Sequence, residues 1–116
     1  MIVSPEYFRN YYKALYKEYS DIAHHYGKYV FMHSDGNISE IIPDLIEVGI
    51  NALNSQLFCM DIEELGIRFR GKITFWGEID RQKILPDGTK SDIEDAALYH
   101  YSGKCHKDPL RRQSSF

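Results

Sequence analysis

Cysteine is scarce in this chain: Cys59 and Cys105 are the two, far apart and without a CxxC spacing. They do not make the disulfide framework of a small secreted domain, so the expectation is a cytoplasmic protein with reduced thiols. Positive charge is not in excess either. A net charge of −3 and a pI near 5.9 argue against a general nucleic-acid or membrane-surface binder, which is normally basic. No apolar run approaches the roughly 20 residues that a membrane span needs. The start of the chain lacks the basic-then-apolar layout of a signal peptide, because Ser4-Pro5-Glu6 interrupts it at once. What remains is ordinary for a globular domain: 43% hydrophobic and 27% charged over 116 residues, one domain's worth at most. An aromatic content of 14% is enough to expect a core.

Ser4-Pro5-Glu6 opens a helix, with Ser4 as N-cap and Pro5 at the first helical position. Phe8, Tyr11/Tyr12, Leu15, Tyr19, Ile22/Ala23 and Tyr26 then recur every three or four residues, which predicts one apolar face on a helix running to about residue 26. Gly27 closes it, since glycine tolerates the left-handed conformation of a helix end. Lys28 to His33 is a short apolar run, expected to be a strand buried on both faces of a parallel sheet. Ser34-Asp35-Gly36-Asn37 is a turn, and Ile38 to Val48 has a helical pattern. Asn37 or Ser39 can cap that helix, and Pro43 places its regular start near residues 39–43.

The pattern then repeats. Glycines 27, 49 and 71 lie 22 positions apart, and each precedes a strand-like run: 29–33, 51–55 and 73–76. Asp61-Ile62-Glu63-Glu64 and Ser91-Asp92-Ile93-Glu94 have the spacing of capping boxes. They predict helices to about Arg70 and to about Tyr101, with Pro86-Asp87-Gly88 as a turn between. Strand, turn, helix, glycine, strand is the grammar of an α/β fold with parallel strands and right-handed crossovers. Residues 103–116 are polar, basic and without period, and are expected to form a disordered tail.

In such folds ligands meet the carboxyl ends of the strands. Three polar clusters fall there: His33-Ser34-Asp35-Gly36-Asn37, Asn54-Ser55-Gln56, and Trp76-Gly77-Glu78-Ile79-Asp80. His33 can act as general acid or base, bind an anion, ligate zinc, or simply hold a neighbouring loop. His33 and Asp35 lie on the same side of an extended segment. Asp35, Glu78 and Asp80 offer carboxylates for proton transfer, a pyrrole N–H or a metal, or serve turns and caps. Gly36-Asn37 before a helix offers backbone N–H groups to an anion. Asn54 and Gln56 can hydrogen-bond a substrate or cap the sheet end. Trp76 could stack on a ring but reads as core, and Cys59 as a small buried apolar residue near enough to be weighed as a metal ligand. His24-His25 read as surface residues near a helix end. His100, Cys105 and His106 match a metal cluster only by count.

Phe31-Met32-His33-Ser34-Asp35-Gly36-Asn37-Ile38, with Ile41-Ile42-Pro43-Asp44-Leu45-Ile46-Glu47-Val48-Gly49, resembles the uroporphyrinogen-decarboxylase superfamily. The likeness continues through Ala52-Leu53-Asn54-Ser55-Gln56, Asp61-Ile62-Glu63-Glu64-Leu65, Lys72 to Asp80 and Leu85-Pro86-Asp87-Gly88-Thr89, covering roughly residues 3–98. The resemblance implies a (β/α)8 barrel, of which residues 1–102 are about three βα units preceded by a helix. It also implies cofactor-free loss of CO2 from acetate arms of the tetrapyrrole uroporphyrinogen, a step of heme biosynthesis. In that reading His33, Asp35 and Glu78 are catalytic, while Gly36, Asn37, Asn54, Gln56 and Asp80 hold the substrate. The family's substrate-binding arginines and key aspartate have no counterpart in this chain, which is expected to be inactive alone. The methyltransferase branch of the superfamily implies instead a zinc ion held by His33 and Asp35, with a corrinoid as methyl donor. There a cysteine stands where this chain has Asp35, which departs from the thiolate set. The third expectation is of another class: a non-enzymatic fragment that binds a complementing barrel piece or copies of itself.

Overall fold

A computed structural model describes residues 3–77, 79–80 and 83–104, the side chains of 100–104 excepted. The helix expected from Ser4 forms at once: the Ser4 hydroxyl accepts from the Tyr7 amide at 3.1 Å, opening α1 (Pro5–Tyr7). It passes through a π-helical turn, Phe8–Tyr12, into α2 (Lys13–His25). The strands are β1 (Phe31–Ser34), β2 (Ala52–Ser55) and β3 (Thr74–Gly77). Between them lie α3 (Ile42–Glu47), a 3-10 turn at Leu57–Cys59, and α4 (Ile62–Phe69). A one-turn α5 (Ile84–Asp87) and α6 (Lys90–Lys104) follow.

The sheet is parallel and runs β1-β2-β3 in chain order, with Met32 beside Leu53 and Leu53 beside Phe75. The three glycines of the 22-residue repeat are left-handed, with φ of 67° at Gly27, 94° at Gly49 and 74° at Gly71. Each ends a helical segment and turns the chain into the next strand, a conformation that a Cβ would strain. The Asp61 carboxylate caps α4 by accepting the Glu64 amide at 2.9 Å. Asn37 makes an Asx turn to Ser39 rather than capping α3. The cap of α6 lies two residues before the expected Ser91. Thr89 Oγ1 accepts the Asp92 amide and the Asp92 carboxylate accepts the Thr89 amide, so the reciprocal box is Thr89–Asp92. Pro86-Asp87 sits in α5 rather than in an open turn. Residues 103 and 104 continue α6, and the rest of the expected tail lies outside the described residues.

Two expectations about burial are corrected. The strands are covered on one face only. Strands in sequential order with crossovers of one hand place their helices on the same side. Ile38, Ile42, Leu45, Val48, Leu53, Leu57, Ile62, Leu65 and Phe69 accordingly form a core between the helices and one face of the sheet. The opposite face leaves Phe31 and Trp76 exposed.

The second correction concerns the N-terminal helix. In the π turn the Lys13 amide donates to Phe8 O, five residues back, so one extra residue enters the helix. Everything after it is rotated by about 100° relative to a regular α-helix. Phe8 remains buried, but Lys13, Tyr16, Ser20 and Ala23 then face the protein, each one residue after the expected Tyr12, Leu15, Tyr19 and Ile22. Those four, with Tyr26, are exposed.

The rotation brings Lys13 to a buried carboxylate. Asp44, on α3, accepts from Lys13 Nζ at 2.9 Å and from Arg9 Nε at 2.9 Å, and Lys13 also reaches Glu47 at 2.7 Å. Burial alone would raise the Asp44 carboxyl, but the hydrogen bonds from Lys13 and Arg9 outweigh it and hold the group below its ordinary range. Farther along α2, His24 Nε2 donates to Asn51 Oδ1 at 2.9 Å, and the same oxygen accepts the Val30 amide at 2.8 Å.

A depressed carboxyl in the folded state stabilises above the ordinary aspartate pKa, and that contribution is lost as pH falls through the lowered value. Asp44→Ala should cost about 1–2 kcal/mol near neutrality in urea denaturation and flatten the acid limb of stability against pH. Gly49→Ala and Gly27→Ala separate strain from crowding. At Gly27 a Cβ meets nothing within 4 Å, whereas at Gly49 it would lie 2.9 Å from the His24 ring. Both should lose about 1 kcal/mol to left-handed strain, with Gly49→Ala losing about 1 kcal/mol more.

Candidate functional site

Side chains alternate along a strand, so the open face carries Phe31 and His33 from β1, Ala52 and Asn54 from β2, and Thr74 and Trp76 from β3. The register aligns His33 with Asn54 and Asn54 with Trp76, one polar row across the sheet near its carboxyl end. Phe31 and Trp76 stack at 5.5 Å between ring centroids, with the small Ala52 on the strand between them. Trp76 was expected in the core and is instead 64% exposed, because it points to the uncovered side of the sheet.

The row is wired in one direction. Asn54 Nδ2 donates to the Trp76 carbonyl at 2.8 Å, and a carbonyl can only accept. Asn54 therefore turns Oδ1 toward His33 Nδ1, 2.5 Å away, so the imidazole proton on this side belongs to Nδ1. The other ring nitrogen, Nε2, faces Asp35 Oδ1 at 3.6 Å. In the neutral ring Nε2 carries a lone pair, available to accept a proton or to bind a metal. In the protonated ring both nitrogens donate, and Asp35 balances the charge.

Gly36 and Gln56 are brought together, but mainly with each other. The Gly36 amide donates to Gln56 Oε1 at 2.8 Å, and Gln56 is buried, so this pair ties the loop after β1 to the end of β2. Asn37 is spent on its Asx turn with Ser39. Asp80 accepts the Lys83 amide at 3.1 Å at the start of the segment after β3. Glu78, expected on the same rim, lies outside the described residues, as do Cys105 and His106. Cys59, expected to be buried, is exposed on the 3-10 turn.

Beside this row runs a groove of about 600 Å³ that the sequence did not reveal. Its walls are His33, Asp35 and Gln56 at the strand ends, and Phe8, Tyr12 and Tyr16 from the N-terminal helical segment. Tyr16 reaches it because the π turn rotates the helix, and no local pattern marks that turn. A smaller recess of about 220 Å³ lies between α4 and β3, lined mostly by apolar groups such as Leu57, Ile62, Leu65 and Phe75.

As a metal site the arrangement supplies two ligands. His33 Nε2 and Asp35 Oδ1 converge, and the Nδ1–H donated to Asn54 is the outer support a zinc-bound histidine normally has. A catalytic zinc takes three protein ligands, and no group of three metal-ligating side chains converges among the described residues. No helix of the described residues is long and apolar enough to cross a membrane. Comparison with protein-family models, curated proteins and solved structures returned no match.

Asn54→Leu preserves volume and removes the oxygen that fixes the His33 proton. Nitrogen shifts of His33 in NMR spectra should show the Nδ1–H tautomer in the native protein. They should move toward the Nε2–H form in Asn54→Leu, and an unchanged tautomer would refute the wiring derived above.

Proposed function

We propose that the open face and its groove are one wall of a tetrapyrrole-decarboxylase site of the uroporphyrinogen-decarboxylase type. The strands then belong to a (β/α)8 barrel, whose lumen is the side of the sheet that carries no helices. The single observation that carries this reading is the His33–Asn54–Trp76 row on that helix-free face of a sequentially ordered parallel sheet. Helices on one face only is what a barrel segment requires, while a doubly wound sheet would cover both.

The chemistry follows from the groups. Losing CO2 from an acetate arm leaves an electron pair that the attached pyrrole ring can accept once the ring has taken up a proton. A proton then adds to the exocyclic methylene carbon as the ring gives its own proton back, so one proton is consumed in all and the acetate arm becomes a methyl group. His33, with Nδ1 tied to Asn54, presents Nε2 as the atom that holds or passes the proton. Asp35 supports the charged imidazole or accepts a pyrrole N–H. The Phe31–Trp76 pair is an aromatic floor for a planar ring. No Lys or Arg belongs to the row for the acidic arms, and a barrel closes with eight strands where the described residues hold three. Turnover therefore needs the remaining wall, and the chain alone is expected to bind without decarboxylating.

The His33–Asp35 convergence favours a second reading, zinc-dependent methyl transfer from a corrinoid, in which the two residues ligate the metal. Two ligands rather than three, and a carboxylate in place of a thiolate, make it the weaker one.

Trp76 is the chain's single tryptophan, so its fluorescence reports on this face alone. Titration with uroporphyrin should quench it saturably, and His33→Ala should raise the dissociation constant about tenfold, the worth of one charge-assisted hydrogen bond. Non-saturating quenching that is indifferent to His33→Ala would overturn the tetrapyrrole reading. Stoichiometric zinc that survives dialysis and is lost in His33→Ala would move the assignment to methyl transfer.

A further inference from the structure

We propose that the outer face of α2 is the seat of a second copy of this chain, the two helices packing antiparallel. The residues turned outward by the π turn, clear of the groove, are Leu15, Tyr19, Ile22 and Tyr26, spaced by four, three and four. That is the a/d seam of a coiled coil, and here it lies in water: the four are between 49% and 72% exposed. Exposed apolar side chains scattered singly need no explanation, but a continuous row at this spacing marks a helix-binding surface.

The charges beside the row select a copy of the same helix as its occupant. The exposed flank of the seam carries Tyr11, Glu18 and His25 at every seventh position, while Tyr16 and Ala23 on the other flank face the protein. In an antiparallel pair the layers become Tyr19 on Ile22 of the other copy and Leu15 on Tyr26 of the other copy, each occurring twice. The same register sets Glu18 opposite His25 of the other copy, also twice. The helix is thus complementary to itself, an acidic group meeting a hydrogen-bond donor at both ends of the seam. A parallel pair would instead set Glu18 against Ala23 of the other copy, on the flank that faces the protein and offers no donor. Among the described residues Glu18 takes part in no ion pair, and Lys17 and Asp21, which pair with each other, lie away from the seam. The proposal is independent of what the open sheet face binds.

Sedimentation equilibrium over a concentration series tests it on the intact chain. The weight-average mass should climb from 13.6 kDa toward twice that value. Ile22→Glu, at an exposed position, should leave the mass at that of one chain with unchanged circular dichroism. Glu18→Lys and His25→Glu should each weaken association about fivefold, since two pairs are lost. The double variant Glu18→Lys/His25→Glu should restore it. A chain that stays monomeric throughout, or a dimer indifferent to Ile22→Glu, overturns the proposal. A double variant no tighter than the single ones overturns the antiparallel register.

Discussion

The Asp44 carboxylate is the constraint from which much of the rest follows. Among the described residues it is the one charged side chain in the core, and an unpaired ion there would cost several kcal/mol. Lys13 and Arg9 offset that cost by reaching it from the N-terminal helical segment. Lys13 can do so only because the π turn advances the helix by one residue; in a regular α-helix Tyr12 would occupy its place. The ion cluster and the π turn are therefore one device. It fixes the rotation of α2, sets Tyr16 along the groove, and turns the periodic apolar row outward.

The sheet imposes the second constraint. Sequential parallel strands with helices on one side bury Leu53 and its neighbours and leave Ala52, Asn54 and Trp76 on a bare face. On that face polar groups keep water as a partner, so His33 and Asn54 avoid the cost of a buried imidazole and amide. They still order one another, because each atom in the row has one donor or acceptor role left to it. The apolar Phe31–Trp76 pair is the unfavourable part of the arrangement, and stacking removes some of its surface from water.

Much of the fold was legible in the sequence. The three glycines 22 residues apart, the Ser4 cap, the Asp61 cap and the three strands are local signals, and local physics decides them. The strand ends were legible for the same reason, and with them the meeting of His33, Asp35 and Asn54. What escaped was decided at a distance. The rotation of α2 depends on Asp44, more than thirty residues away, and the periodic row gave no sign of it. Trp76 and Cys59 were misplaced because hydrophobicity reports a preference for burial, not which sheet face has a layer to bury it. Gly36 and Gln56 looked like separate binding groups, yet each answers the other's hydrogen-bonding need.

The exposure of the His33 row bears on what it can do. His33 and Asp35 are each more than half exposed, so water screens the charge between them. Proton transfer gains most from a fixed acid or base when water is excluded. A small polar ligand would leave the row wet. A broad, flat, apolar ring lying on Phe31 and Trp76 would itself remove the water, and with it the screening, while keeping its edge within reach of Nε2. In the proposed decarboxylase reading, the same aromatic floor that costs the free protein some stability would favour a planar macrocycle over a small polar substrate, and the ligand's own burial of the site would switch the chemistry on.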